Sequence, residues 1–331
     1  MKISVALAAY RGEKFIGAQL RSLAAQTRLP DEVVVTDDSP DEATRREAER
    51  FSGDLPLRYI ANPVRLGVTG NFNAALAQTT GDAVFLCDQD DVWHPEKIET
   101  MCGFLDAQCA AVFCDSDVTD ENGVLQGFTH LESRGYGALR NCPFGFWPDQ
   151  LAACCRRVPA AGHDMAFSRK LLERVLPLPE LPDCHDTYLG VAAAALGAWR
   201  IVPRSLGIFR RHGASASGAG RRPSLAGAWR AARESVRSRS FAWNAALFAE
   251  VLTRLPELPD EIRAVLEARQ RHSANRAAMD VAFPKRVPLI WREWRAGNYS
   301  RFGRGWKNVF QDLFLRESDL KKTKTGGILS E

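Results

Sequence analysis

The 331-residue chain reads as an α/β protein: one domain on a mostly parallel central sheet flanked by helices, then an α-helical extension. Three observations predict this. Short apolar, β-branched runs alternate with helical patterns through the first two hundred or so residues. Gly, Ser and Arg crowd 214–222, the composition of a boundary, and the apolar spacing beyond it is helical. Charge divides at the same place: 22 Lys+Arg against 28 Asp+Glu in 1–220 (net −6), and 22 against 12 in 221–331 (net +10). The whole-chain value of +4 hides an acidic body and a basic extension. We therefore expect an acidic α/β domain over 1–220, a basic aromatic-rich helical region over 221–316 and a flexible tail over 317–331.

Element by element, Ile3–Ala9 is a buried strand and Glu13–Ala25 a helix with Phe15, Leu20 and Leu23 as apolar positions. Glu32–Thr36 is a second strand ending in Asp37-Asp38-Ser39-Pro40-Asp41, Ala43–Phe51 a charged helix, and Leu57–Ile60 a third strand. Val68–Gln78 is helical, with Asn71 in its first turn, and Ala83–Cys87 is a buried strand running into Asp88-Gln89-Asp90-Asp91. Pro95–Leu105 is a helix and Ala110–Cys114 a strand; 127–160 reads as loops and short strands. Met165–Leu176 and Asp186–Leu196 are helices, and Ile201–Phe209 is a strand leading to Arg210-Arg211-His212. In such sheets ligands bind beyond the carboxyl ends of the strands, where both acidic clusters sit.

Several classes are excluded. All eight cysteines lie between Cys87 and Cys184 without a C-x-x-C, so buried reduced thiols are expected rather than zinc or disulfides. The apolar start is seven residues long and meets Arg11, Glu13 and Lys14, which suits a strand better than a signal peptide. No apolar run reaches 18 residues, the length a span needs. Asp115-Ser116-Asp117-Val118-Thr119 matches a phosphatase D-x-D-x-T string but lies too far from the first strand. As a calcium loop it fails, having Asp120 at its sixth position and Gln126 at its twelfth. Neither G-x-G-x-x-G after the first strand nor a Walker loop is present.

Asp88, Asp90 and Asp91 put three carboxylates into four residues. They repel one another unless a cation neutralises them or a pKa rises, and hard oxygen ligands suit Mg²⁺ or Mn²⁺. The stretch Phe85-Leu86-Cys87-Asp88-Gln89-Asp90-Asp91-Val92-Trp93-His94-Pro95-Glu96-Lys97-Ile98 resembles the D-Q-D-D-x-W-x-x-x-K-[IL] signature of family 2 glycosyltransferases, most closely the bacterial rhamnosyltransferase-like members. Val5–Gly12 resembles their strand ending in T-Y-N-G, Gln19–Thr27 the helix after it, Val35–Ser39 the D-D-G-S segment, and Asn62–Asn71 the N-x-x-x-x-G-x-x-x-N segment. Gly162–Phe167, His185–Tyr188 and Phe209–Gly213 follow in order, so the resemblance covers 2–215. Ala9 and Arg11 stand where Thr and Asn are usual, and the Asp37–Asp41 segment is one residue short.

The resemblance implies the GT-A fold, a nucleotide-diphosphate sugar donor (UDP- or dTDP-linked) and inversion at the anomeric carbon. It implies that Tyr10 stacks on the base, that Asp38 hydrogen-bonds it, and that Arg65 or Asn71 lies beside the nucleotide. Asp88 and Asp90 form the metal motif with Asp91 adjacent, His212 completes the metal shell, Arg210 and Arg211 contact the diphosphate, and Asp186 is the catalytic base. Ordinary structural readings stand beside these: Tyr10 as a core aromatic, Asp38 or Asp186 as helix caps, Arg210–His212 as an exposed basic loop, His163 as a satisfied buried histidine and Trp93 as packing. The expected acceptor is a hydroxyl of a glycan or lipid-linked molecule in surface-polysaccharide (O-antigen-type) synthesis. The other readings are a catalytically silent scaffold and a sugar nucleotidyltransferase, the latter without its glycine-rich loop.

The extension carries amphipathic patterns over 224–255 and 260–281, then Lys285–Arg316 with eight basic residues against two acidic and aromatics interleaved. Cationic aromatic helices suit an anionic membrane face, which predicts a cytoplasmic protein peripheral on the inner face of the membrane. The alternative is that these aromatics pack on the catalytic domain. No nucleic-acid recognition module is evident.

Overall fold

The computed structural model describes residues 1–105, 111–143, 149–213, 240–279 and 283–314. The chain divides into two compact units, Met1–Ser217 and Gly218–Glu331.

The first unit runs β1 (Ile3–Ala9), α1 (Ile16–Ala24), β2 (Glu32–Asp37), α2 (Ala43–Glu49), β3 (Leu57–Ala61), α3 (Gly67–Gln78), β4 (Ala83–Asp88), β5 (Val92–Trp93) and α4 (Lys97–Cys102). It continues with β6 (Ala111–Thr119), β7 (Leu125–Thr129), α5 (His130–Ser133), α6 (Gln150–Arg156), β8 (Met165–Ser168), α7 (Arg169–Val175), α8 (His185–Ala195) and β9 (Trp199–Arg210). The nine strands form one sheet in the order β3-β2-β1-β4-β8-β6-β9-β5, with β7 on β6. Val5, Leu7, Val33, Val35, Phe85 and Cys87 are fully buried, because helices cover both faces of this part of the sheet. α1 contributes Ile16, Leu20 and Leu23, one helical stripe, to the same core. α2 buries only Thr44 and Ala48 and carries ion pairs of Arg45 with Glu42 and Glu49 on its wet side.

Two expectations change. The sheet is mixed: β1 runs parallel to β2 and β4, β2 to β3 and β6 to β9, but β8 is antiparallel to both β4 and β6. The helix expected over Met165–Leu176 begins only at Arg169, and Met165–Ser168 is strand β8. Met165, Ala166 and Phe167 are buried from every side between two strands, so sheet pairing overrides their helical propensity. The Ser168 side chain then accepts the Leu171 N–H and caps α7.

The direction of β8 places the site. With Ala83 opposite Ser168 and Phe85 opposite Ala166, the residues just before β8 lie beside the carboxyl end of β4. A parallel strand there would start at the far edge of the sheet. Ala9, Asp37 and Asp88 meet at the same edge, since Ala9 is registered with Asp37 and Ala8 with Asp88.

In the second unit, α9 (Ser240–Arg254) and α10 (Asp260–Ala277) pack through Leu247, Phe248, Val251 and Leu266; residues 224–239 of the expected first helix lie outside the described ones. α11 (Phe283–Arg295), α12 (Asn298–Phe302) and α13 (Trp306–Leu313) enclose Met279, Ile290, Tyr299 and Val309. Buried polar contacts fix these helices to one another. Arg276 grips Asp312 with two 2.8 Å hydrogen bonds, and Tyr299 donates to the same carboxylate. Glu293 accepts from His272 Nδ1 at 2.6 Å, Asn275 at 2.7 Å and Asn298 at 2.8 Å.

Burial alone would raise the Glu293 pKa, but these three donors lower it to about 2. A folded value below the unfolded one adds stability that is complete above the unfolded value of 4.5 and disappears as pH falls towards 2. His272, whose burial lowers its pKa, acts with the same sign from 6.5 downward. Urea unfolding of the full chain, followed by tryptophan fluorescence, should therefore lose about 3 kcal/mol between pH 6.5 and 2.5 from Glu293 alone, a slope that Glu293→Gln flattens.

Candidate active site

The carboxyl end of β1 continues into Tyr10. The Gln89 side chain clamps that peptide, its Oε1 accepting the Tyr10 N–H and its Nε2 donating to the Tyr10 carbonyl, both at 2.9 Å. Gly12 permits the clamp, since a Cβ there would stand 2.0 Å from Gln89 Oε1. Arg11 follows with φ +49°, the left-handed region that Asn enters more readily than Arg. That is a backbone reason for the Asn usual at this place. The Tyr10 ring is half-buried, with the Arg65 guanidinium 4.2 Å from its centroid and that of Arg11 at 5.4 Å.

Asp37 and Asp38 close the end of β2. Asp37 is buried, accepts from Ser39 and is bonded by the Tyr59 hydroxyl. Asp38 accepts from Asn62 Nδ2 at 2.8 Å and from the Gly67 N–H, at the start of α3, at 2.8 Å. Asn71 donates to the Ala9 carbonyl at 2.8 Å and accepts from Asn62. Asn62, Asn71 and Asp38 thus brace the ends of β1 and β2 against α3, and Asn71 is buried behind the strand ends. Arg65, by contrast, is exposed beside Tyr10.

The β4–β5 turn carries the acidic cluster. Asp88 and Asp90 are partly exposed, and Asp90 Oδ2 lies 2.7 Å from His212 Nε2. β5 pairs with β9, registering Val92 with Ile208, and so delivers Arg210–His212 to this turn. Asp91 is buried; one oxygen accepts the Arg210 N–H at 3.2 Å and the other lies 3.2 Å from His163 Nδ1. His212 stacks on Phe15 at 4.5 Å, and the Arg210 guanidinium lies over the same ring at 5.3 Å. The Arg211 guanidinium lies instead over Phe128.

His163, read from the sequence only as a satisfied buried histidine, stands at the centre of the charge. Its ring is 3.5 Å from Asp88, 3.2 Å from Asp91 and 3.1 Å from Asp164, and stacks on Phe209. Burial opposes its charge, but Asp164 and Asp91 raise its pKa well above the usual range. Asp164 is correspondingly held far below its ordinary value by His163 and Lys97 despite burial. His130, packed against the same group, is pushed down to about 4, foremost by burial. Asp88 is lowered, chiefly by His163 against burial, whereas burial and Asp88 raise Asp90. Burial raises Asp91 well above its usual value.

The arrangement fits a divalent cation. Asp88, Asp91 and His163 each present a ligand atom, all within 4.8 Å of one another, and buried Asp91 Oδ2 and His163 Nδ1 make no hydrogen bond of good geometry. Ligands of an octahedral ion at 2.0–2.1 Å stand about 3–4 Å apart. The outward Asp90 and His212, at 2.7 Å, are hydrogen-bonded to each other and would have to part slightly to join the same ion.

α8 starts beside this cluster. His185 stacks on Phe72, and Gly162 is obligatory under it, since a Cβ there would lie 2.7 Å from His185 Nε2. Asp186, half-buried in the first turn, accepts the Thr187 N–H and hydroxyl on Oδ1. Trp93 is buried against Phe85. Asp115 of the phosphatase-like string is buried and accepts the Leu131 N–H at the start of α5, a structural use. The described cysteines are all free thiols. Gln89 and Lys97 were visible as letters of the signature, but nothing in the sequence gave them a task. Lys97 is fully buried and donates to the His163 carbonyl at 2.8 Å.

A family model, glycosyl transferase family 2, matches residues 4–176. The chain is 27% identical over 222 residues to an uncharacterised glycosyltransferase of Nostoc sp., covering 65% of this chain and 66% of that one. It is 26% identical over 145 residues to the Escherichia coli UDP-Glc:alpha-D-GlcNAc-diphosphoundecaprenol beta-1,3-glucosyltransferase WfgD, covering 43% of this chain and 57% of that one. The matches thus span less than two thirds of either relative's own length. Among solved structures, S. aureus TarS 1-349 in complex with UDP-GlcNAc aligns over 98% of this chain and 92% of that one, with a TM-score of 0.54 at 17% identity, a likeness of fold. The fold is GT-A, and with the family match running through the strands whose carboxyl ends carry the acidic cluster, the chain belongs to glycosyl transferase family 2.

Proposed function

We propose that this chain is a metal-dependent, inverting glycosyltransferase. It moves a hexosyl or deoxyhexosyl group, rhamnosyl included, from a UDP- or dTDP-linked donor to a hydroxyl of a glycan or lipid-linked acceptor in bacterial surface-polysaccharide synthesis, at an anionic membrane. The observation that carries the reading is one strand edge that joins a clamped Tyr10 under Arg65 to the Asp88–Asp91 cluster with His163 and His212. Relatives in the same family act on UDP-glucose or bind UDP-GlcNAc, as their names state.

In this reading Tyr10 seats the base, and Asp38, already braced by Asn62 and Gly67, sets the depth of its site. Arg65 and Arg210 meet the diphosphate. Asp88, Asp90 and Asp91 with His212 and His163 would hold Mg²⁺ or Mn²⁺, which supplies positive charge against the departing diphosphate. Asp186 keeps Oδ1 on Thr187 and takes the acceptor's hydroxyl proton on Oδ2. The acceptor oxygen bonds to the anomeric carbon as the bond from that carbon to the diphosphate oxygen breaks, and the nucleoside diphosphate leaves.

Incubating the full chain with UDP- and dTDP-sugars and Mn²⁺ or Mg²⁺ should release nucleoside diphosphate, and chelation should stop the release. Donor binding without release under any metal would instead mark a silent scaffold. Pyrophosphate made from a nucleoside triphosphate and a sugar phosphate would mark a nucleotidyltransferase.

A further inference from the structure

Within the second unit, α11 and α13 carry a continuous aromatic ridge on their outer side. Ring centroids follow one another at 4.9 Å (Trp291–Trp294), 5.9 Å (Trp294–Trp306), 6.4 Å (Trp306–Phe310) and 6.1 Å (Phe310–Phe314). Trp291 is 57% exposed, Trp306 63% and Phe314 58%. Scattered exposed apolar residues are ordinary; a ridge this long across two helices is not.

Charge is sorted in the same segment. Between 283 and 314 every exposed charged side chain is basic: Lys285, Arg292, Arg295, Arg301, Arg304 and Lys307. The two acids there, Glu293 and Asp312, are buried and partnered from inside the unit, the first by hydrogen bonds from His272, Asn275 and Asn298, the second by an ion pair with Arg276. Along α11, at about 100° per residue, Phe283, Val287, Trp291 and Trp294 fall within about 80° of arc. Arg286, Ile290 and Glu293 form the buried arc on one side of it, and Arg292 and Arg295 border it on the other. Aromatic rings flanked by long cationic side chains match the boundary of acyl chains and anionic headgroups, where the rings sink and the cations snorkel to phosphate. Among the described residues no helix is long and apolar enough to cross a membrane, so the face would lie on the surface.

We propose that the Trp291–Trp294–Trp306–Phe310–Phe314 ridge, with Arg292, Arg295 and Lys307 beside it, is the seat by which the second unit docks on an anionic lipid bilayer. This rests on the reading of the chain as a transferase working at a membrane, and supplies the surface it uses. The ridge is favoured over nucleic-acid contact because the aromatics form one continuous apolar strip.

The full chain should sediment with phosphatidylglycerol–phosphatidylcholine vesicles, weakly with phosphatidylcholine alone, with a blue shift of tryptophan emission and weakening by salt. A Trp291→Ala/Trp294→Ala/Trp306→Ala variant should bind those vesicles roughly tenfold or more weakly at unchanged unfolding temperature. Arg292→Glu/Lys307→Glu, which leaves the rings alone, should remove the preference for phosphatidylglycerol. Both variants should keep wild-type transfer to a soluble acceptor. Vesicle binding without any transfer would fail the enzymatic reading and leave the ridge standing. Wild-type chain that ignores phosphatidylglycerol vesicles, or a triple variant that binds them unchanged, overturns the ridge. So does a triple variant that loses self-association or unfolds at a lower temperature, since the strip would then be a protein contact.

Discussion

Asp186→Asn is expected to slow glycosyl transfer by about 10²–10⁴-fold, the range that a positioned general base contributes, while donor affinity stays within about threefold. The substitution separates chemistry from architecture. The Oδ1 atom of Asp186 holds the Thr187 N–H and hydroxyl at the start of α8, and an Asn Oδ1 can accept both, at the cost of the carboxylate's charge. Ordinary stability is therefore expected, and His185 should stay stacked on Phe72. What the amide lacks is the second carboxylate oxygen, which in the proposed mechanism receives the acceptor's proton. Calorimetric titration with donor, run beside an assay of nucleoside diphosphate release, checks both halves. Undiminished turnover in the variant would remove Asp186 from the mechanism; lost donor binding would move it into the nucleotide site.

Much of this site was legible because its residues sit at the ends of hydrophobic strands. Ile3–Ala9, Glu32–Asp37 and Ala83–Asp88 declare themselves by composition, and parallel pairing then aligns Tyr10, Asp37-Asp38 and Asp88. The rest depended on pairing that no local pattern announces. Met165–Ser168 is too short and too evenly buried to show a period of two, so its reversal, and with it the arrival of His163 beside Asp88, was invisible. Gln89 and Gly12 make sense only as a clamp and the space the clamp needs, 77 positions apart in sequence. Asn71 was placed near the nucleotide by its motif, and the structure gives its amide to the Ala9 carbonyl. The signature thus mixes residues exposed at the strand edge with residues that hold that edge in shape.

Lys97 belongs to the second kind, and Lys97→Met should show it. Its ammonium is wholly buried, donates to the His163 carbonyl at 2.8 Å, lies 3.4 Å from Asp164 Oδ1 and sits 4.7 Å from the centre of the Trp93 ring. Methionine fills most of the volume, so little of the effect comes from packing. What is lost is the cation, leaving the buried Asp164 carboxylate to Ser116, His163 and His130. Removing one partner of a buried ion pair costs about 3–5 kcal/mol, which for a unit of this size lowers Tm by about 10 °C. The damage should extend to transfer, because Asp164 and the His163 carbonyl set the place of the His163 ring between Asp88 and Asp91. Asp164→Asn added to Lys97→Met removes the uncompensated charge, so it should recover part of the lost Tm. It should not recover transfer, since His163 then loses the carboxylate that faces its Nε2. A Lys97→Met chain that melts like the wild type, or a double variant no more stable than the single, would show that the buried charge is balanced without this lysine.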